Sequence, residues 1–352
     1  MDEKPHHLDS CHHHECLHQV EHQLPRMFSR PDRLAEPLYV ICPVINAARF
    51  RTRWKLYQDF EKHVYESGAI LYTVEVAFGD REFAVTSPDN PKHIQLRTFH
   101  ELWLKERAIN LAVGRLPLDW KYVAWIDGDC MFTRHDWADE TRHLLQHHPI
   151  IQMWSQLFDL NTQYEVYNQM RSFMDVQTYG VTPSTPRDCY GGLRIGAGQK
   201  FGSPGLAWAC RKDCWNQMGG LLDICVLGAG DWYFANALAG TLDRAIGTRN
   251  DLTTPFAKKM LDYQEHLKRG RWEERSIVGN AGLMKGLVIH YWHGPRSSRQ
   301  YNQRGEILMR HKYDPDRDLK LDSQMLYQPT DRSPAMRREI QQYFAQRNED
   351  QL

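Results

Sequence analysis

The sequence predicts an α/β protein: one domain on a mostly parallel central sheet, with a helical extension at the carboxyl end. Three observations predict it. Short apolar, β-branched runs at 38–45, 69–77 and 122–126 read as buried strands. The segments at 51–65 and 101–116, which separate them, switch to helical spacing. The third strand then runs directly into Asp127, so carboxylates stand where a strand meets solvent. Strand–helix–strand repetition implies parallel pairing in a sheet covered on both faces. Such sheets bind ligands beyond the carboxyl ends of their strands.

In chain order, residues 1–36 stand apart. His6, His7, Cys11, His12, His13, His14, Cys16, His18 and His22 crowd there, followed by Pro25 and Pro31. Imidazole and thiolate are good zinc ligands, so the segment is either a soft-metal site or a mobile arm that binds metal incidentally. From Leu38 to Ile45 the first strand begins the ordered domain. Trp54, Tyr57, Phe60 and Val64 then share one helical face. The second strand ends at Gly79-Asp80, and a loop rich in Pro, Asp and Asn covers 87–92. Leu104, Ala108, Leu111 and Ala112 carry the next helix until Pro117 ends it. Beyond Ile150–Trp154, which is strand-like, the chain turns polar to about Gly180 and Pro- and Gly-rich over 181–205, a long loop expected over the active face. Helices follow near 211–218 and 231–240, and a strand at 286–290.

Bulk properties narrow the classes. Lys plus Arg equals Asp plus Glu at 44 each, so no global field draws polyanions. No apolar run approaches the roughly 20 residues of a membrane helix, and the first thirty residues are no signal peptide. A soluble, cytoplasmic protein without membrane insertion is expected. The eight cysteines show no CxxC spacing and read as reduced, mostly buried thiols.

Asp127-Gly128-Asp129 carries the chemistry. Two carboxylates one residue apart can hold a hard divalent ion beside a diphosphate, and Gly128 lets a ligand approach the backbone. The ion would neutralise a diphosphate leaving group. Asp-x-Asp is common in turns, but a pair placed directly after five apolar residues is poorly explained as one.

The stretch Asn110-x5-Leu116-Pro117-x2-Trp120-Lys121-Tyr122-Val123-Ala124-Trp125-Ile126-Asp127-Gly128-Asp129 resembles GT-A glycosyltransferases, of the family-2-like and galactosyltransferase types found in tailed phages and bacteria. Five blocks between about 38 and 320 carry the resemblance: the first strand with Pro43 and Asn46; Leu102-Trp103-x-Lys105-Glu106; the Asp127/Asp129 block; 202–220; and 290–304. It implies a Rossmann-like nucleotide-sugar-binding domain over 37–312, with a nucleotide-binding half at 37–130, an acceptor half at 131–312 and an extension at 313–352. It implies manganese or magnesium as cofactor and a nucleotide-sugar, a UDP-sugar first, as donor.

The resemblance also implies roles at matched positions. Pro43, Asn46, Arg49 and Glu75 would grip the nucleotide, or are ordinary loop residues. Lys105, Glu106 and Asn110 contact the donor or form a solvated helix face. Gly205 allows close approach of the donor sugar, while Trp208 stacks on that sugar or fills the core. Asp231, in Leu227-Gly228-Ala229-Gly230-Asp231-Trp232, is the base of an inverting transfer or the cap of its helix. Asp127, Asp129 and either His290 or His293 would complete a metal shell. Arg296, Arg299 and Arg304 suit a diphosphate, or form a solvated basic loop.

For the acceptor, residues 255–312 hold twelve Lys or Arg against five Asp or Glu, interleaved with Tyr263, Trp272, Tyr291, Trp292 and Tyr301. Such a patch can track a phosphate backbone, which points to DNA and to 5-hydroxymethylpyrimidine as acceptor. A polysaccharide or virion protein is the alternative. A non-catalytic carbohydrate-binding protein on the same scaffold is the reading from another class, against which Asp127, Asp129, Asp231 and His290 all stand.

Overall fold

The computed structural model describes residues 36–180, 202–247, 252–301 and 303–351. The histidine-rich segment and the greater part of the expected loop at 181–205 lie outside them.

The framework is a seven-stranded sheet with order β12-β6-β9-β4-β1-β2-β3. Strands β1 (Leu38–Ile45), β2 (Ile70–Phe78) and β4 (Tyr122–Ile126) occupy the apolar runs read from the sequence. They pair in parallel, Leu38 beside Tyr122 and Val40 beside Leu71. β1 and β2 are almost wholly buried because helices cover both faces of the sheet. Helix Arg51–Glu66 packs Tyr57, Phe60 and Val64 on one face. On the other, helix Lys105–Val113 packs Ala108, Ile109 and Ala112.

Three features depart from the expected pattern. His93–Thr98 is a strand, β3, parallel to β2. Its alternation of His, Gln and Arg with Ile, Leu and Thr suits an edge strand but lacks a continuous apolar run. Strand β9 (Ala207–Arg211) inserts antiparallel between β4 and β6 (Ile150–Gln152), and β12 (Gly282–Leu283) then pairs in parallel with β6. The polar stretch after 155 forms a hairpin, β7 (Gln156–Leu160) and β8 (Val166–Arg171).

That hairpin belongs to a second sheet, β5-β13-β7-β8, in which β5 (Cys130–Phe132) and β13 (Leu287–His290) lie side by side. Helix Thr254–Arg269, begun by Pro255 and capped by the Thr253 hydroxyl on the Phe256 N–H, was not anticipated. Two short hairpins complete the described strands, β10–β11 (Arg271–Trp272, Arg275–Ser276) and β14–β15 (Leu319–Leu321, Tyr327–Pro329).

Residues beyond 312 share the core rather than stand beside it. Tyr313 is buried and donates to the Ile224 carbonyl at 2.9 Å. Ile340, Tyr343 and Phe344 of helix Pro334–Ala345 join the same apolar cluster. The described cysteines 42, 130, 210, 214 and 225 are buried and unbridged. No described helix is long and apolar enough to cross a membrane.

Candidate metal and donor site

Asp127 leaves β4 with its N–H bonded to the Leu206 carbonyl at 2.9 Å, and three residues later the chain enters β5. There the antiparallel register pairs Cys130 with His290. The Tyr291 N–H donates to the Asp129 carbonyl at 2.9 Å, which brings Asp129 against the histidine block. Gly128, between the acids, turns inward: a Cβ there would stand 3.1 Å from the Cys42 sulfur and 3.7 Å from the Tyr57 ring. A side chain there would crowd the core, so tight packing favours this glycine, which also lines the cleft.

Asp129, His290 and His293 converge, their ligand atoms all within 4.8 Å of one another. His293 Nε2 lies 3.2 Å from Asp129 Oδ2, and His290 Nε2 lies 3.7 Å from Oδ1. The two Nε2 atoms are 3.1 Å apart. His290 donates through Nδ1 to Asp159 at 2.6 Å, which leaves its Nε2 lone pair turned to this centre. Arg299 donates to His293 Nε2 at 2.7 Å, so that nitrogen too is an acceptor. Burial and the Arg299 charge push the His293 imidazole down to about 3. Asp129 Oδ1 is buried without a hydrogen-bond partner. Burial works against its ionisation, yet His293, His290 and Arg53 hold the carboxyl well below the usual carboxylate range. The free His290 lone pair and an unsatisfied carboxylate oxygen, with His293 Nε2 beside them, fit a divalent cation that takes the place of the Arg299 hydrogen bond.

Asp127 is not part of this group. It is ion-paired with Lys105, whose ammonium it holds above the usual range against the opposing effect of burial. Asp159 was missed, although an acid inside the apolar strand Gln-Leu-Phe-Asp-Leu was a visible signal. It orients His290 and also accepts from Arg296 at 2.9 Å and from Asn168. Burial opposes its charge, but the His290 hydrogen bond and the Arg296 guanidinium bring the carboxyl to about 2.

A cleft opens over this centre, lined among others by Pro43, Lys105, Gly205, Asp231, Arg296, Arg299 and Arg304. Arg304 also donates to the Tyr343 hydroxyl at 3.2 Å. Asp231 lies in the first turn of helix Gly230–Leu238, whose capping position is Ala229 at φ 70°. Asp231 is therefore not the cap. Its Oδ1 accepts from the Trp232 N–H at 2.8 Å, and its Oδ2 stands 2.7 Å from where a Cβ of Gly205 would be. Beside it, Glu106 is buried against Gly230. Burial, opposed by the Lys105 charge and reinforced by Asp231, pushes the Glu106 carboxyl up to about 8.

Several expected donor contacts lie outside the cleft. The Glu75 carboxylate is occupied by the N–H groups of Ala84, Val85 and Thr86 at 2.7–3.1 Å and pins that loop. Asn46 closes its own turn onto Phe50, and Arg49 sits exposed in that turn at φ 60°. Asn110 clamps Leu221 through both backbone groups and shapes the Gly219-Gly220 turn. Trp208 is 2% exposed, donates to the Pro204 carbonyl at 2.7 Å and packs edge-on against Phe234, so it fills the core. The site also draws on residues that carried no signal. Arg53 and Arg347 line the cleft, and Glu349 lies behind His293.

Gly205 offers a test of the cleft floor. Alanine there should leave stability within about 1 kcal/mol, because the Asp231 carboxylate can swing aside, yet displace it. A displacement near 1 Å costs on the order of a hundredfold in rate. Turnover and melting temperature of Gly205→Ala, measured together, check this; unchanged turnover would remove Asp231 from the chemistry.

No protein-family model matches this sequence, and no curated protein is significantly similar to it. Among solved structures, the Pyrobaculum calidifontis mannosyltransferase PcManGT, in complex with GDP-Man and Mn2+, overlaps 94% of this chain and 76% of its own, with 13% identity and a TM-score of 0.39. The catalytic domain of Drosophila β1,4-galactosyltransferase 7, in complex with xylobiose, overlaps 83% of this chain and 91% of its own, with 12% identity and a TM-score of 0.32. The 4-diphosphocytidyl-2C-methyl-D-erythritol synthase of Anaerococcus prevotii overlaps 71% and 89%, with 10% identity and a TM-score of 0.29. Overlaps of this extent carry no argument about activity, which rests on the side chains described above.

Proposed function

We propose that the chain is a metal-dependent glycosyltransferase that moves a sugar from a nucleotide-sugar, a UDP-sugar first, to an acceptor hydroxyl. The observation that supports it is the convergence of Asp129, His290 and His293 under a cleft lined by Arg296, Arg299, Arg304 and Asp231. The three residues would hold manganese or magnesium. When bound, that ion supplies charge neutralisation for the diphosphate leaving group.

The protein's own groups do the rest. Arg296, Arg299 and Arg304 orient the diphosphate through charge-assisted hydrogen bonds. Lys105, held by Asp127, adds a further cation to the cleft lining. Asp231 accepts the proton of the acceptor hydroxyl as its oxygen bonds to the anomeric carbon. The bond from that carbon to phosphate oxygen breaks, and the electron pair leaves with the nucleoside diphosphate. Attack from the face opposite the diphosphate inverts the anomeric centre.

The DNA acceptor drawn from residues 255–312 has little to support it. Lys258, Lys259, Lys268 and Arg310 are paired with carboxylates, and Arg296, Arg299 and Arg304 serve the cleft. Incubation with a panel of nucleotide-sugars, with and without manganese, tests the reaction. Manganese-dependent release of nucleoside diphosphate is expected. Hydroxymethylated DNA and oligosaccharides, added in separate arms and followed by mass spectrometry, identify the acceptor class. No release from any donor in the presence of metal would overturn the proposal.

A further inference from the structure

Behind each histidine of the metal centre stands a carboxylate, and the second one comes from the far end of the chain. Asp159 backs His290. Glu349 backs His293, with its Oε2 3.7 Å from Nδ1 while Nε2 faces Asp129. Glu349 is 2% exposed. One of its oxygens pairs with Arg53 Nε, and the other accepts from the Arg53 terminal nitrogen at 2.9 Å and lies 2.9 Å from Arg347 Nε. Burial resists its charge, but Arg53, His293 and Arg347 hold its carboxyl far below the ordinary range.

The segment that carries Glu349 is locked in place around this contact. Asp350 caps helix Arg51–Glu66, accepting from the Arg51 and Thr52 N–H groups at 2.9 Å each. Trp292 Nε1 donates to the Gln351 carbonyl at 2.8 Å. Gly294, next to His293, lies directly under the segment: a Cβ there would stand 2.7 Å from Glu349 Cα and 2.8 Å from the Asn348 carbonyl oxygen. Gly294 also has φ +87°, so another residue would be strained twice over.

We propose that Glu349 is a positioning residue of the metal centre, fixing His293 from behind and neutralising Arg53 and Arg347 beside it. The proposal rests on Asp129, His290 and His293 being metal ligands. At 3.7 Å the carboxylate acts on the imidazole through its charge, which raises the ring's basicity toward a metal. Without that negative charge, Arg53 and Arg347 would stand next to the site uncompensated and repel a divalent cation. A carboxylate that only stabilised the fold would leave metal affinity untouched at temperatures well below melting.

Manganese binding to the full chain, followed by electron paramagnetic resonance without any substrate, separates these roles. Wild type is expected to bind one manganese ion, and Asp129→Asn to lose it. Glu349→Gln, which keeps size but removes charge, is expected to bind manganese on the order of tenfold to hundredfold more weakly. Glu349→Asp keeps the charge opposite both arginines and should recover affinity to within several-fold of wild type. Thr253→Val serves as the structural comparison: it removes the cap of helix Thr254–Arg269, which is not part of the cleft lining, lowers the melting temperature and leaves manganese affinity unchanged. Wild-type affinity in Glu349→Gln would overturn the proposal, and so would equal losses in Glu349→Gln and Glu349→Asp. Manganese binding that survives Asp129→Asn would instead overturn the ligand assignment on which the proposal rests.

Discussion

Asp129→Asn is expected to bind manganese at least on the order of a hundredfold more weakly than wild type and to lose nearly all turnover, with its fold intact. Even changes behind a ligand cost tenfold to hundredfold in metal affinity, and this one alters a ligand. The fold should survive because Asp129 Oδ1 has no hydrogen-bond partner to lose. Replacing a buried charge by an amide also removes a desolvation cost. Asp127→Asn should behave differently. Its partner is Lys105, and an amide oxygen still accepts from that ammonium. Manganese affinity within about tenfold of wild type is expected there, with the loss appearing in donor turnover. Manganese titration of the two variants side by side decides: equal loss in both would return Asp127 to the ligand set.

Asp231→Asn should abolish transfer while donor affinity stays. A positioned general base contributes on the order of a hundredfold to ten-thousandfold in rate. The metal ligands and the arginines that face the diphosphate lie on other elements, so the donor Kd should change little. The stability cost should also be small. The helix begins at Gly230 after Ala229, so Asp231 supplies no cap, only a first-turn charge worth about 0.3–1 kcal/mol. Turnover near wild type would assign the proton to another carboxylate. Glu106 is then the first to examine, because burial against Gly230 beside Asp231 already raises its carboxyl to about 8. In that case activity would rise as pH climbs through this range, since only the ionised form accepts a proton.

The three central strands β1, β2 and β4 were legible because their signal is local. They are largely apolar, β-branched runs, and such runs mark strands buried on both faces wherever they occur. Edge strand β3 and hairpin β7–β8 were not legible. They are short and rich in polar residues, and they draw their stability from neighbours that composition does not name. The chain past 312 was hidden for the same reason, since the amphipathic helix Pro334–Ala345 announces a buried face but not what covers it.

By itself, the sequence determined that the protein is α/β, that carboxylates follow the third apolar run, and that two histidines and several arginines occur together late in the chain. Strand ends and residue spacing are properties of neighbours in the chain, and they are readable without the fold. Only the tertiary structure decided how those groups divide. The register of β5 against β13 gives Asp129 to the histidines, while helix Lys105–Val113 claims Asp127 through Lys105. Asp159 and Glu349 reach the two imidazoles from a hairpin and from the carboxyl-terminal segment. Asp129 and Asp159 meet the histidines from more than a hundred positions away; Lys105 with Asp127 and Glu349 with His293 span fewer, and the last depends on a packed turn at Gly294. Long-range pairing is set by how the layers close over one core, and local periodicity carries no record of it.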